Sequence, residues 1–312
     1  MIDHKEENFI SAVVYLHNDE NRIASFVKTI TEILNKNFIN CELICVDDGS
    51  YDNTLDQIKS VSDAFGKCSV SIVKLNNCQG YEAAMNAGVD LAIGDYVLEF
   101  DSAVMDYDPS LILELYYKTA EGFDVVSASD IKYKKISSRL FYSVFNKNAN
   151  LQYTVQSESF RIVSRRAVNK VYSMGRSVRY RKALYANCGL KTARVFYEGK
   201  REYAKQKIQS IEQRADTAAT SLIVFTNIAY KASLGISIFM MIATVLMAIY
   251  ALITFITNHA IVGFTTTMLV MTGSFFTVFL IFAIVLKYLS VIVQMIFKKQ
   301  EYMVESIEKI SK

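Results

Sequence analysis

The stretch YEAAMNAGVDLAIGDYVLEFDSAVMDYDP, residues 81–109, decides how this chain folds. Residues 81–94 have the alanine content and the terminal glycine of a short helix. DYVLEF, 95–100, is then an apolar run of strand length, and it breaks at Asp101 into a loop that carries Asp106 and Asp108. A helix running straight into a buried strand is half of a β-α-β unit. An aspartate at the end of such a strand is a common place to hold a divalent cation, but position 103, where a second carboxylate would complete the pair, is Ala. The loop therefore reads as a metal site, as the remnant of one, or as a plain strand end. Asp106 is either a substitute ligand or, with Asp108, a turn residue around Tyr107 and Pro109.

The same alternation extends in both directions. FISAVVY (9–15), CELICVDD (41–48), SVSIVKL (69–75) and FDVVSAS (123–129) are strands, and NDENRIASFVKTITEIL (18–34) and PSLILELYYKTAEG (109–122) are helices. Ile23, Phe26, Val27 and Ile30 fall at helical spacing, with Asn18 or Asp19 as the cap. Repeated strand-helix order predicts an α/β fold with a largely parallel sheet, whose ligands bind outside the carboxyl ends of the strands. Three of those ends are polar: HNDE (17–20), DDGSYDNT (47–54) and DSAVMD (101–106). DDGS alone is an ordinary turn, but three such loops converging on one crevice fit a nucleotide site. No Gly-x-Gly-x-x-Gly or Gly-x-x-x-x-Gly-Lys loop occurs, which argues against a dinucleotide oxidoreductase or a P-loop nucleotidase.

Composition sets the remaining bounds. The chain has 312 residues, is 52% apolar and carries a net charge of +3. The apolar excess lies late, in Leu234–Ile256 and Val262–Leu286, two runs without a charged residue, each longer than the roughly 20 residues that cross a hydrocarbon core. Both read as transmembrane helices. The N-terminus MIDHKEENFI lacks the apolar core of a secretory signal. Lys231 precedes the first run, Lys287, Lys298 and Lys299 follow the second, and the linker TNHA has no basic residue, so both termini are expected in the cytosol, on the inner face of the cytoplasmic membrane. The expected division is a cytosolic domain 1–210, a juxtamembrane amphipathic helix 211–233, two spans within 234–297 and a cytosolic tail 298–312. From Arg176 to Arg214 there are 11 Lys or Arg against three Glu. This basic stretch is either attraction to anionic lipid or the mouth of a site for a phosphorylated substrate. It carries no nucleic-acid-binding module. The five cysteines show no metal-binding spacing and read as thiols.

With these motifs in place, the chain resembles family 2 of the inverting glycosyltransferases with the glycosyltransferase-A fold, specifically the polyprenyl-phosphate glycosyltransferases. ELICVDDGSYDNT (42–54) is similar to their base-binding loop, and GYEAAMNAGVDLAIGDYVLEFDSA (80–103) to the segment before their metal motif. SSRLFYSVFNK (137–147), SESFRIVSRRAV (157–168) and REYAKQK (201–207) resemble their acceptor helix, Phe-Arg strand and juxtamembrane motif. The family's Asp-x-Asp is here Asp101-Ser102-Ala103, its following glutamine is Met105, and Tyr81 stands where a lysine is usual. The resemblance implies transfer of a sugar from a UDP- or GDP-linked donor to a membrane polyprenyl phosphate such as undecaprenyl phosphate. It implies Asn18, Glu20, Asp47 and Asp48 on the donor, Asp101 as a catalytic residue facing the diphosphate through a weakly bound Mg²⁺ or Mn²⁺, and Arg139, Ser143, Arg201 and Lys207 on the lipid phosphate, with Arg201 also catalytic. Arg161 is either part of the site or a core-edge ion pair. A homo-oligomer is implied too. Two other readings stay open: a catalytically weakened member that binds nucleotide-sugar or partners an active paralogue, and a processive polysaccharide synthase, which the short chain and the absence of Trp disfavour.

The lysine pattern generates a topology test. A cysteine placed at Asn258 is expected to react with an impermeant reagent from outside intact cells, and one at Ser311 is not. Labelling of both would remove the two-span arrangement.

Overall fold

The computed structural model describes residues 5–131, 136–149, 151–174, 180–200 and 302–310, with isolated helical positions between 218 and 292. The chain divides into two units, one made of Met1–Lys147, Leu151–Ala218 and Lys299–Lys312, the other of Asn148–Asn150 and Ala219–Lys298. Among the described residues no helix is long and apolar enough to cross a membrane. The spans and the amphipathic helix expected from the sequence fall largely outside those residues.

The first unit is an α/β layer structure. Its strands are β1 (Ile10–Leu16), β2 (Cys41–Asp47), β3 (Ser69–Leu75), β4 (Tyr96–Phe100), β5 (Val125–Asp130), β6 (Phe160–Ser164), β7 (Thr192–Tyr197) and β8 (Val304–Lys309). Its helices are α1 (Ile23–Asn37), α2 (Thr54–Ser60), α3 (Tyr81–Leu91), α4 (Leu111–Ala120), α5 (Ile136–Asn148), α6 (Arg165–Ser173) and α7 (Arg181–Asn187). The eight strands form one sheet in the order β7-β5-β6-β4-β1-β2-β3-β8. Its centre, β4-β1-β2-β3, is parallel as expected, and β5 pairs β7 in parallel. Two strands run the other way. β6 inserts antiparallel between β4 and β5, and β8 pairs antiparallel along β3. Within the expected tail 298–312, Val304–Lys309 forms an edge strand.

Every residue of β1 is buried, which is why its sequence reads as a continuous apolar run. Ile10, Ala12, Val14 and Leu16 join Phe26, Ile30 and Leu34 of α1 and Ile112 and Leu115 of α4 in the main core. The alternate side chains face α3. There Gly88 lets the helix backbone close on the sheet, since a Cβ at that position would overlap the methyls of Val13 and Val46. The expected cap of α1 is not formed. The helix begins at Ile23, because the Asp19 carboxylate instead accepts from the His17 amide and pairs with Arg22 at 2.5 Å.

The Gly88 contact is a direct test of this packing. Gly88→Ala is expected to destabilise the fold by about 1–3 kcal/mol through overpacking, read as a lower urea midpoint. An unchanged midpoint would mean that α3 does not seat on β1 and β2 as described.

Candidate functional site

The loops after β1, β2 and β4 meet at the carboxyl edge of the sheet, as expected. The first two are stitched together by hydrogen bonds. Asn18, in the left-handed region at φ 56°, accepts from the Tyr51 amide at 2.8 Å and donates its own amide to the Ser50 hydroxyl at 3.0 Å. Glu20 accepts from the Asn53 amide at 3.2 Å, and its own amide donates to Asp52. Gly49, at φ +67°, lies against the backbone of Asn77 and Cys78, where a Cβ would come within 2.9 Å of the Cys78 nitrogen.

Asp47 and Asp48 are both fully buried yet differ in what holds them. Asp48 is saturated: it accepts from the Gln79 amide at 2.6 Å, the Gly80 amide at 2.9 Å and the Tyr15 hydroxyl at 3.0 Å. This ties the second strand's loop to the start of α3. Gln79 also exchanges two hydrogen bonds with the Met303 backbone, at 2.7 and 2.8 Å, so the tail before β8 is anchored at the same place. Asp47 Oδ1 accepts from the Ser50 amide at 3.2 Å, and its Oδ2 is buried with no hydrogen-bond partner among the described residues. Burial raises the Asp47 pKa, against the lowering effect of Ser50. His17, Asp48 and Cys78 offer ligand atoms within 4.8 Å of one another, but the Asp48 oxygens are already engaged. All five cysteines are unbridged, and burial pushes the Cys45 thiol up to about 12.

Asp101 is reached from Asp48 through two tyrosines. The Tyr15 ring meets the Tyr81 ring edge-on at 5.5 Å, and the Tyr81 hydroxyl donates to Asp101 Oδ1. Burial and the nearby Asp101 charge raise the Tyr81 pKa, which keeps its proton for this bond. Asp101 Oδ2 accepts from Lys182 Nζ at 3.1 Å, and the Arg161 guanidinium stands 3.6 Å from Oδ1. Burial alone would lower the Lys182 pKa, but the Asp101 charge outweighs it and the ammonium stays protonated.

Behind Asp101 lies a buried ion-pair network. Glu99 has no exposed surface and accepts from Arg181 and from the Tyr185 hydroxyl at 2.7 Å. Arg161, 1% exposed, lies opposite Glu99 in the β4–β6 register, 3.7 Å from its carboxylate and 3.3 Å from that of Glu158. The carboxylates outweigh the lowering effect of burial, so the guanidinium is held charged. Arg161 is thus a buried ion pair that also touches the site.

Of the residues expected from the sequence, Asn18, Glu20, Asp47, Asp48 and Asp101 are brought to one crevice. Arg139 and Ser143 are exposed on α5, whose Phe145 packs edge-on against Tyr180, two residues before Lys182. Arg201 and Lys207 lie outside the described residues. Ala103 is buried, and Asp106 turns away, accepting from the Tyr197 hydroxyl at 2.9 Å. Asp101 is therefore the single carboxylate of its loop in the crevice. Sequence reasoning missed Lys182, Tyr81 and Glu99. Glu99 had a signal, since a carboxylate inside the apolar run YVLEF demands a buried counter-charge.

Residues 11–172 match the family model described as glycosyl transferase family 2. Curated relatives include an uncharacterized glycosyltransferase of Synechocystis sp., 30% identical over 195 residues, or 61% of this chain and 60% of that one. A prophage bactoprenol glucosyl transferase homolog of Escherichia coli is 30% identical over 196 residues, covering 60% and 62%. An undecaprenyl-phosphate 4-deoxy-4-formamido-L-arabinose transferase of Serratia proteamaculans is 28% identical over 136 residues, covering 42% and 41%. The first two matches thus span about 60% of the relatives' length. A solved mannosyltransferase of Pyrobaculum calidifontis, in complex with GDP-mannose and Mn²⁺, superposes with a TM-score of 0.52 at 15% identity over 70% of this chain and 64% of that one. That likeness is one of fold, the glycosyltransferase-A α/β fold. The chain belongs to glycosyl transferase family 2.

The contrast between the two adjacent aspartates is testable by stability alone. Because burial raises the Asp47 pKa, its contribution is fully present below the ordinary aspartate range near 4 and is lost as pH rises through the folded value. Asp47→Asn is expected to stabilise the ligand-free chain at pH 7 by on the order of 1 kcal/mol, with the gain vanishing in acid. Asp48→Asn leaves a backbone N–H without its acceptor and is expected to cost about 1–3 kcal/mol. Equal effects of the two changes on urea midpoints would contradict the geometry.

Proposed function

We propose that this family 2 chain moves a sugar from a UDP- or GDP-linked donor to a polyprenyl phosphate at a membrane surface, with inversion at the anomeric carbon. The observation that carries the reading is the crevice itself. Asn18, Glu20, Asp47 and Asp101 meet at the carboxyl edge of the sheet, with one buried oxygen of Asp47 still lacking a donor. An N–H of a nucleobase is the kind of group that would satisfy it. Relatives named for transfer of glucose to bactoprenol, or of a sugar to undecaprenyl phosphate, support the acceptor class.

The nucleophile of such a reaction is a phosphate oxygen, largely ionised at neutral pH because the second phosphate pKa is near 6. No strong base is needed. What the chain supplies is orientation of the two substrates and positive charge for the leaving diphosphate. Lys182 and Arg161 are the buried cations beside Asp101, while Arg139, Ser143, Arg201 and Lys207 would take the lipid phosphate. The fold neighbour from Pyrobaculum carries Mn²⁺ with its nucleotide-sugar. In this chain Asp101 would hold such an ion, which would neutralise diphosphate charge. A divalent ion that shares ligands with a diphosphate needs only one or two protein carboxylates, so Asp101 suffices for a weak site.

The edge strand supports the membrane arrangement. β8 follows both apolar runs and lies in the same sheet as β3, which supports putting the chain before and after those runs on one side of a membrane. An even number of crossings meets that condition, as the two expected spans do. The burial of Ala103 where a second carboxylate would stand favours one further reading, a weakened member that binds donor without turning it over.

Incubating the purified full chain with undecaprenyl phosphate and a panel of nucleotide-sugars tests these readings. A lipid-linked monosaccharide is expected, and Arg201→Ala is expected to lower transfer at least about tenfold, or 1.4 kcal/mol, with nucleotide binding retained. No product with donor still bound selects the weakened member. Polymer would select a processive synthase.

A further inference from the structure

Both oxygens of Asp101 are occupied by the chain's own groups, Tyr81 at Oδ1 and Lys182 at Oδ2. Tyrosine is a neutral donor that leaves room for a second partner on the oxygen. Lys182 is different, because its ammonium is a full charge at the position from which a cation would approach. Lys182 also has somewhere else to go. Its Nζ is already 3.5 Å from the Glu158 carbonyl oxygen, and its stem lines a cavity of about 180 Å³ shared with Glu158, Arg161, Tyr153 and Arg194. Glu158 carries a second carboxylate there, paired with Arg161 at 3.3 Å. The ammonium thus has two acceptors within reach, the Asp101 carboxylate and the Glu158 carbonyl, with free volume on the Glu158 side.

We infer that Lys182 is a resident counter-cation of Asp101 that a divalent ion must displace, so that this one side chain sets how weakly the site binds metal. The inference deepens the donor-site reading proposed above and rests on Asp101 belonging to that site. It assigns Lys182 a positioning role: the ammonium holds the carboxylate in place while the crevice is empty and moves toward Glu158 when another cation takes its oxygen. Arg161 is not interchangeable with it. Its guanidinium is wedged between three carboxylates and stands farther from Asp101, at 3.6 Å against 3.1 Å. The loss of a second carboxylate at 103 and the presence of an ammonium at 182 act in the same direction, lowering the net negative charge a metal would meet.

Mn²⁺ binding to the full chain, without any nucleotide and read from the spin resonance of the free ion, tests this directly. Lys182→Met is expected to tighten Mn²⁺ at least about tenfold, and Lys182→Arg, which keeps the charge, to stay within about threefold of the wild type. Lys182→Gln is a second neutral variant that can still donate to Asp101, and is expected to tighten binding in the same sense should the Met variant fold poorly. Adding Asp101→Ala to either neutral variant is expected to abolish the gain. Mn²⁺ affinity unchanged within twofold in a folded neutral variant, or a gain that survives Asp101→Ala, would overturn the inference. The same preparations are assayed for sugar transfer to undecaprenyl phosphate. Transfer by the wild type with no change in Mn²⁺ affinity sinks the role of Lys182 alone, whereas tightened Mn²⁺ with no transfer from any donor sinks the proposed function and leaves Lys182 in place.

Discussion

Glu99 is a carboxylate without access to water, set in the second-last position of β4 between Leu98 and Phe100, which face the opposite side of the sheet. An ionised group there is tolerable only with opposite charge close by. Arg161 and Arg181 provide that charge, and the requirement propagates through the fold. Arg161 belongs to β6, whose antiparallel register puts it directly across from Glu99. Arg181 opens α7, so pairing it with Glu99 lays that helix over the same face. Lys182 is the next residue, and its contact with Asp101 follows from where α7 has been placed. A buried pair of this kind adds little net stability compared with apolar packing; what it fixes here is which strand and which helix can lie beside β4.

The β1–β2 half of the crevice depends on neutral hydrogen-bond donors instead. Asp48 collects two partly buried backbone amides and a buried tyrosine hydroxyl. The loop it gathers, 77–80, also receives the tail through Gln79 and Met303, while Lys74 and Lys59 pair with Glu305 and Glu308 of β8. Those surface pairs contribute little individually. The ladder along β3 and the Gln79 bonds are what join residues more than two hundred positions apart, and they tie Met303 to the side chain of the residue whose amide Asp48 holds.

Much of this was legible in the sequence, for a physical reason. Strands buried on both faces write themselves as apolar runs, and α/β alternation leaves polar residues at the carboxyl ends; hence β1 to β5, α1, α3 and α4, and the gathering of Asp47, Asp48 and Asp101. The misses also have causes. β8 is exposed at every position and held by its backbone, so VESIEK carries no apolar alternation to read. The expected cap at Asn18 or Asp19 failed because the Asn18 side chain binds the loop after β2 and that of Asp19 is taken by the His17 amide and the Arg22 guanidinium. Lys182 was hidden in a segment whose basic residues read as one cluster, and only the pairing of its neighbour with Glu99 distinguishes it.

The three central aspartates look alike in sequence and are treated in three different ways by the structure. Asp48 is saturated by neutral donors and is a structural element. Asp101 is neutralised by a cation that has a second station, and is an exchangeable one. Asp47 is the last residue of β2, and alternation along the strand turns its side chain away from that of Asp48, so the donors that close on one cannot reach the other. Its Oδ2 is left buried and unmatched, an arrangement that costs folding free energy and is relieved by any ligand that brings a donor. Under the proposed function that donor belongs to the nucleotide, and the same cost becomes selectivity: a base without an N–H at that position would leave the oxygen unmatched and bind less well. Specificity at the base would then reside in a crevice carboxylate oxygen to which the fold brings no donor, a distinction that strand alternation creates between two neighbours in VDDGS.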